Sequence, residues 1–355
     1  MAFEMWSPLK SLVIKITVIS VLLNEARAAP TVLYLKKMML INERLTISGF
    51  DSGGDMASQM HVAFSKNFRG VAMFASIWYM CSPYGFMYYR EKCGKGANKI
   101  SNGINAARNN ARNMLIDPLA GLADQKVYHW IPNRDELVDQ AIRTQVKTFY
   151  EKVGVKPANI MLKYQFSYHI MPTANTADPL CRESQITKPD YPYSGVGTAY
   201  CTYYGAYEGL NYLIGNVELK KPVIGTTPAK LEPVRLFNQS VFLASADQDF
   251  LDPVGYYYIP SGCKGKPCRL HMFLHGCYLN RDRLQSQFVK RSGYLEVAEL
   301  NNIIMLFPQS IYFDGNDLGC WDVFGSTGEE YAIKTGIQMT ALAKMLETVT
   351  GKTFL

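Results

Sequence analysis

Apolar positions between residues 45 and 215 form short continuous runs separated by stretches of helical spacing. "LTIS" (45–48) starts a strand, and Met56, Met60 and Ala63 then share one face of a helix predicted from Asp55 to about Phe64. "GVAMFASIWYM" (70–80) reads as a buried strand and "KVYHW" (126–130) as a shorter one. Val138, Ile142, Val146, Phe149 and Val153 fall at three- and four-residue steps. They predict a helix from about Glu136 to Val153, with acids at its start and Gly154 just past its end. "NIMLKYQF" (159–166) is the next strand. Such alternation argues for a mainly parallel sheet covered by helices. Residues 217–235 hold three prolines and read as a connector. Beyond it "VGYYYIP", "RLHMFLHG" and "NIIMLFPQ" read as strands, and 329–350 as a closing amphipathic helix with Ile333, Ile337, Ala341 and Met345 on one face. This back half is either a separate domain or the completion of the first sheet.

Composition narrows the class. The chain has 355 residues, 48% hydrophobic and 19% charged, enough to bury a sizeable core. Its net charge of +7 is scattered, with no basic run interleaved with aromatics, so a nucleic-acid partner is not expected. Lys10 precedes the apolar run "SLVIKITVISVLL", and Ala26-Arg27-Ala28 fits a signal-peptidase site. Residues 1–28 are therefore expected to be an export signal, leaving 29–355 as the mature, secreted chain without a further membrane span. The eight cysteines suit an oxidising compartment, where they would pair. Spacing alone does not fix the pairing. The simplest arrangement joins neighbours in order: Cys81 with Cys93, Cys181 with Cys201, Cys263 with Cys268, and Cys277 with Cys320. No zinc-type spacing is present and no metal is expected. Asn238-Gln239-Ser240 is a glycosylation sequon, usable in a secreted chain.

The candidate chemistry begins at Gly49-Phe50-Asp51-Ser52-Gly53. A strand, a glycine turn and a helix start form the setting of a nucleophile elbow, whose pattern G-x-S-x-G wants serine where this chain has Asp51. Triad partners in such hydrolases follow in the order acid, then histidine. Asp135 lies just beyond the strand ending at Trp130, and His169 just beyond the strand after it, the loops expected at the carboxyl edge of a parallel sheet. Asp135 also suits a helix N-cap. Of the other histidines, His61 and His129 read as packing or surface residues, and His271 alternates along a strand. His275 in "LHGC" (274–277) follows a strand, as an oxyanion-hole segment does, but it comes late in the chain. It shares a site with the elbow only if the chain is circularly permuted.

With these features the sequence resembles the single-domain, circularly permuted extracellular poly(3-hydroxybutyrate) depolymerases, from about Leu45 to Leu346. The matching stretches are "ISGFDSGGDMASQMHVAFS", "KVYHWIPNRDELV", "FSYHIMP", "GYYYIPSGC", "LHMFLHGC", "FPQS" and "GCWDVFG". The resemblance implies one permuted α/β-hydrolase domain over 29–355, stapled by disulfides, with all eight cysteines at positions that are paired in the family. It implies Asp135 as acid, His169 as base, the N–H groups of Ser52 and Cys277 as oxyanion donors, and Trp321 lining a substrate cleft. It implies a secreted carboxylic-ester hydrolase acting on a small ester or hydroxyalkanoate oligomer, with no cofactor; the chain is expected to be a monomer. The family's serine maps onto Asp51.

Three chemistries follow for that position. Ser52 serves as a shifted nucleophile, although one step along the elbow turns a side chain through a large angle. Alternatively Asp51 attacks, forming an ester with an alkyl halide or epoxide that His-activated water then cleaves. In the third case no covalent chemistry survives and the chain is a hydrolase-fold binding protein, its His169 held protonated by the neighbouring carboxylate.

Overall fold

The central apolar runs are buried on both faces, as parallel strands covered by helices must be, whereas the edge strand of 160–165 is largely exposed. All six residues of Leu45–Phe50 and all five of Ile303–Phe307 are inside. The structure, a computed structural model, describes residues 31–41, 43–81, 89–94, 99–181, 195–215, 217–224 and 231–355. The export signal expected over 1–28 lies outside the described residues, as do 225–230 of the expected connector.

In chain order the strands are β1 (Val32–Leu33), β2 (Leu45–Phe50), β3 (Phe68–Phe74), β4 (Lys126–Pro132), β5 (Ile160–Gln165), β6 (Met171–Thr173), β7 (Thr198–Tyr200), β8 (Arg235–Asn238), β9 (Val254–Tyr258), β10 (Arg269–Leu274) and β11 (Ile303–Phe307). The longer helices are α1 (Ser52–Ala63), α2 (Ile100–Arg112), α3 (Gln140–Lys152), α4 (Gly205–Ile214), α5 (Tyr294–Asn301) and α6 (Ile337–Thr350). β6 and β7 form a small parallel pair. The rest form one nine-stranded sheet in the order β1-β8-β9-β11-β10-β2-β3-β4-β5. From β11 to β5 every pairing is parallel, and β9 runs antiparallel to both of its neighbours.

This order settles how the back half relates to the front. β8–β11 occupy one half of the sheet and β2–β5 the other. They meet at β10 and β2, where Leu274 lies beside Gly49. Read from β8 to β11 and then from β2 to β5, the sheet runs from one edge to the other. Strands late in the chain thus complete the sheet begun by the early ones, as expected from the late position of "LHGC". Residues Val32–Leu355 form one compact unit.

Side chains alternate across the sheet with the two-residue period of a strand. Val71 and Met73 of β3 enter one core with Met60 of α1, Phe149 of α3 and Leu342 of α6. Ala72 and Phe74 enter the other with Leu210 of α4 and Leu295 of α5. No helix among the described residues is long and apolar enough to cross a membrane.

Several boundaries differ from the pattern. The strand expected over 70–80 stops at Phe74, because Ala75 takes a positive φ of 52°. The helix expected from Glu136 starts at Gln140, because the Asp135 carboxylate first takes the Leu137 and Val138 N–H groups. The closing helix begins at Ile337 after Gly336, not at 329. The connector's last residue, Arg235, opens β8.

Candidate active site

One residue separates β2 from α1, and it is Asp51. Its φ of 54° is a left-handed conformation that side chains rarely adopt, the strain expected of a nucleophile elbow. Neighbouring glycines allow the turn. A Cβ on Gly49 would collide with the Gly53 carbonyl, and one on Gly53 with the Leu274 and His275 carbonyls of the adjoining strand end. The backbone fixes the rest: Asp51 N–H donates to the Phe74 carbonyl (2.9 Å), and the Asp51 carbonyl accepts from Gly54 (2.8 Å). Gly49→Ala is expected to lower stability by about 1–3 kcal/mol, the usual cost of overpacking, measurable by urea unfolding.

The loops after β4 and β5 supply Asp135 and His169, the residues expected as acid and base. Asp135 is buried, its Oδ1 accepting N–H bonds from Leu137 (2.9 Å) and Val138 (3.1 Å). Arg134 N–H donates to the Ser167 carbonyl and ties the two loops together. His169, packed on the Phe50 ring, donates from Nδ1 to Asp135 Oδ2 (2.8 Å) and from Nε2 to Asp51 Oδ1 (3.1 Å). Both partners are carboxylates, so both ring nitrogens act as donors and the ring is an imidazolium. Burial pulls the His169 pKa down, but Asp135 and Asp51 together carry it up to about 10. Burial likewise works against the Asp135 carboxylate, yet His169 and Arg143 hold it below its ordinary range. Arg143 stands behind the acid, buried on α3, its Nη1 3.7 Å from Asp135 Oδ2. The charges alternate along the line Asp51, His169, Asp135, Arg143. Sequence reading missed Arg143, whose signal was an arginine next to Ile142 on an otherwise apolar helix face.

The third wall comes from the far end of the chain. Because β10 lies in register beside β2, the segment His275-Gly276-Cys277 reaches the elbow. Cys277 N–H donates to Asp51 Oδ2 at 2.8 Å. One carboxylate therefore accepts both the His169 Nε2 proton and the Cys277 N–H. Ser52 opens α1, and helix geometry leaves its N–H without an intrahelical partner. Its hydroxyl turns inward: Trp321 N–H donates to Ser52 Oγ (3.3 Å), which also lies 3.3 Å from Cys277 Sγ, and the residue is 2% exposed.

Trp321, expected to line a cleft, is instead wholly buried. Its indole N–H donates to the His275 carbonyl (3.0 Å), so it braces the His275–Cys277 segment from inside. The Cys277–Cys320 disulfide ties the same two segments. The other three pairs join Cys81 to Cys93, Cys181 to Cys201 and Cys263 to Cys268, as sequence order suggested. His275 is a buried neutral ring that donates from Nδ1 to the Gly276 carbonyl and accepts the Ser310 N–H at Nε2. His271 lies between the Thr46 and Ser48 hydroxyls, and His61 beside Tyr150. His129 is buried within β4. Asn238 ends β8, partly exposed.

Comparison with known proteins gives a consistent answer, although no family model matches the chain. It is 29% identical over 330 residues to a poly(3-hydroxybutyrate) depolymerase of Delftia acidovorans, covering 90% of this chain and 62% of that one. It is 27% identical over 319 residues to a polyhydroxybutyrate depolymerase of Talaromyces funiculosus, covering 86% and 89%. The chain thus spans less than two thirds of the Delftia relative's length. Among solved structures, the PHB depolymerase from Penicillium funiculosum superposes with a TM-score of 0.78 at 26% identity, covering 90% of this chain and 99% of that one. A serine-to-alanine variant of PHB depolymerase complexed with an R3HB trimer gives the same values. In sequence over most of its length and in overall structure, the chain resembles the poly(3-hydroxybutyrate) depolymerases.

Proposed function

We propose that this chain is a secreted protein that binds hydroxyalkanoate ester oligomers in the depolymerase-type site, with Asp51 closing that site to ester turnover. One observation carries the reading: the Asp51 carboxylate engages both His169 Nε2 and the Cys277 N–H. These two groups serve acyl transfer only when free, one to take a proton and the other to hold an oxyanion. Attack by Asp51 on a carboxylic ester would give a mixed anhydride, which lies uphill. Ser52 is a poor substitute, since its hydroxyl faces the Trp321 backbone in the core. Binding of hydroxyalkanoate is supported by the R3HB trimer in the structural relative. Export is supported by Lys10 with its apolar run, by Ala26-Arg27-Ala28, by the sequon at Asn238 and by the disulfides.

The test uses the mature chain from Ala29 and the R3HB trimer. Calorimetric titration is expected to give saturable binding, while chromatography finds the trimer intact. Trimer hydrolysis that disappears in Ser52→Ala would overturn the reading in favour of the shifted serine.

A further inference from the structure

We propose a second activity at this site: Asp51 is a nucleophile toward saturated carbon, and the chain hydrolyses small primary alkyl halides through an alkyl ester on Asp51. This goes beyond the ester-binding reading and shares only the site with it. The two oxygens of Asp51 have different surroundings. Oδ2 is fixed by the Cys277 N–H at 2.8 Å, beside the start of α1. Oδ1 faces His169 Nε2 at 3.1 Å, and the side chain keeps 13% of its surface open to solvent. Oδ1 keeps a second lone pair beyond the one that accepts the His169 proton, so a carboxylate fixed through Oδ2 presents Oδ1 as a positioned nucleophile. The groups that obstruct acyl transfer in the resting state serve this reaction in its second half.

In the first step Oδ1 attacks the carbon bearing the halogen. A carbon–oxygen bond forms, and the carbon–halogen bond breaks with its electron pair, releasing halide. Halide leaves as a stable anion and needs no acid, which is why halides are the class assigned. Alkylation removes the Asp51 charge that helps hold the proton on His169, and that proton passes to solvent. In the second step neutral His169 Nε2 takes a proton from water as the water oxygen adds to Asp51 Cγ. The oxyanion forms on Oδ2, held by the Cys277 N–H and the helix N-terminus at Ser52. Collapse expels the alcohol, protonated by His169, and the remaining hydroxyl proton then moves to His169 and restores the ion pair. The sum is alkyl halide plus water to alcohol plus hydrogen halide, with no oxidant or cofactor.

The test is a single turnover of 1-bromobutane by excess mature protein in oxygen-18 water, followed by mass spectrometry of butanol and of the Asp51 peptide. The expected result is unlabelled butanol and one oxygen-18 in Asp51. His169→Gln is expected to release bromide yet retain the butyl ester, with butanol formation down by about 100-fold or more. The labelling experiment needs no variant, so it stands even if that one misfolds. Bromide release no faster than with Asp51→Ser overturns the proposal, as does label found in butanol and not in Asp51. Either result leaves the trimer titration to be judged on its own.

Discussion

Asp51→Ser is expected to turn the chain into an ester hydrolase, raising the hydrolysis of short hydroxybutyrate esters by roughly 1,000-fold or more over the natural protein. The substitution puts a hydroxyl at the one position whose backbone already has the elbow conformation. It releases the Cys277 N–H, which Asp51 Oδ2 occupies, so that a tetrahedral oxyanion has its donor. It also removes one of the two carboxylates that keep His169 protonated. With Asp135 alone behind it, the ring returns toward the neutral range and can take the serine proton. Initial rates on p-nitrophenyl butyrate and on the R3HB trimer measure this. Adding Ser52→Ala to the variant is expected to leave most of the gained activity, because the Ser52 hydroxyl serves packing. If the natural chain already hydrolyses these esters as fast as Asp51→Ser, Asp51 is no obstruction.

The second large effect is on stability against pH. The native His169 pKa of about 10 lies above its ordinary value of 6.5. Folding therefore favours the protonated ring. The stabilisation is complete below about pH 6.5 and is lost as the pH rises through the native value near 10. Urea unfolding at intervals from pH 6 to 10 is expected to show a fall on the order of 4 kcal/mol, at about 1.4 kcal/mol per unit of pKa difference. In Asp51→Ser, where one carboxylate partner is gone, the fall is smaller and begins at lower pH. An identical pH profile for the two proteins would mean that Asp51 and His169 are not coupled.

Much of the site was legible because its residues sit at strand ends, where a parallel sheet gathers its loops. Asp51, Asp135, His169 and Cys277 follow β2, β4, β5 and β10, and the apolar runs marking those strands are continuous enough to read. The permutation could be inferred from one conflict, an oxyanion segment placed after its elbow. The remaining features depend on tertiary packing. Trp321 was expected at a cleft from the resemblance, and sequence alone cannot tell a buried indole from an exposed one. Its burial follows from the His275 carbonyl that its N–H satisfies. Helix α2, "ISNGINAARNNAR", went unread because it is rich in asparagine and buries little beyond Gly103, Ile104 and Ala107. Arg143 was hidden because a buried cation makes sense only once its carboxylate partner is in place.

The most direct measurement is the nitrogen-15 spectrum of the five histidine rings at neutral pH. Burial pushes His61, His129 and His271 down to about 3 and His275 to about 4, whereas His169 stands near 10. One doubly protonated ring is expected at pH 7, assigned to His169 by its absence from His169→Gln and losing its second proton near neutrality in Asp51→Ser. Five neutral rings at pH 7, or a charged ring indifferent to the residue at 51, would contradict the convergence of Asp51, His169 and Asp135 on one site.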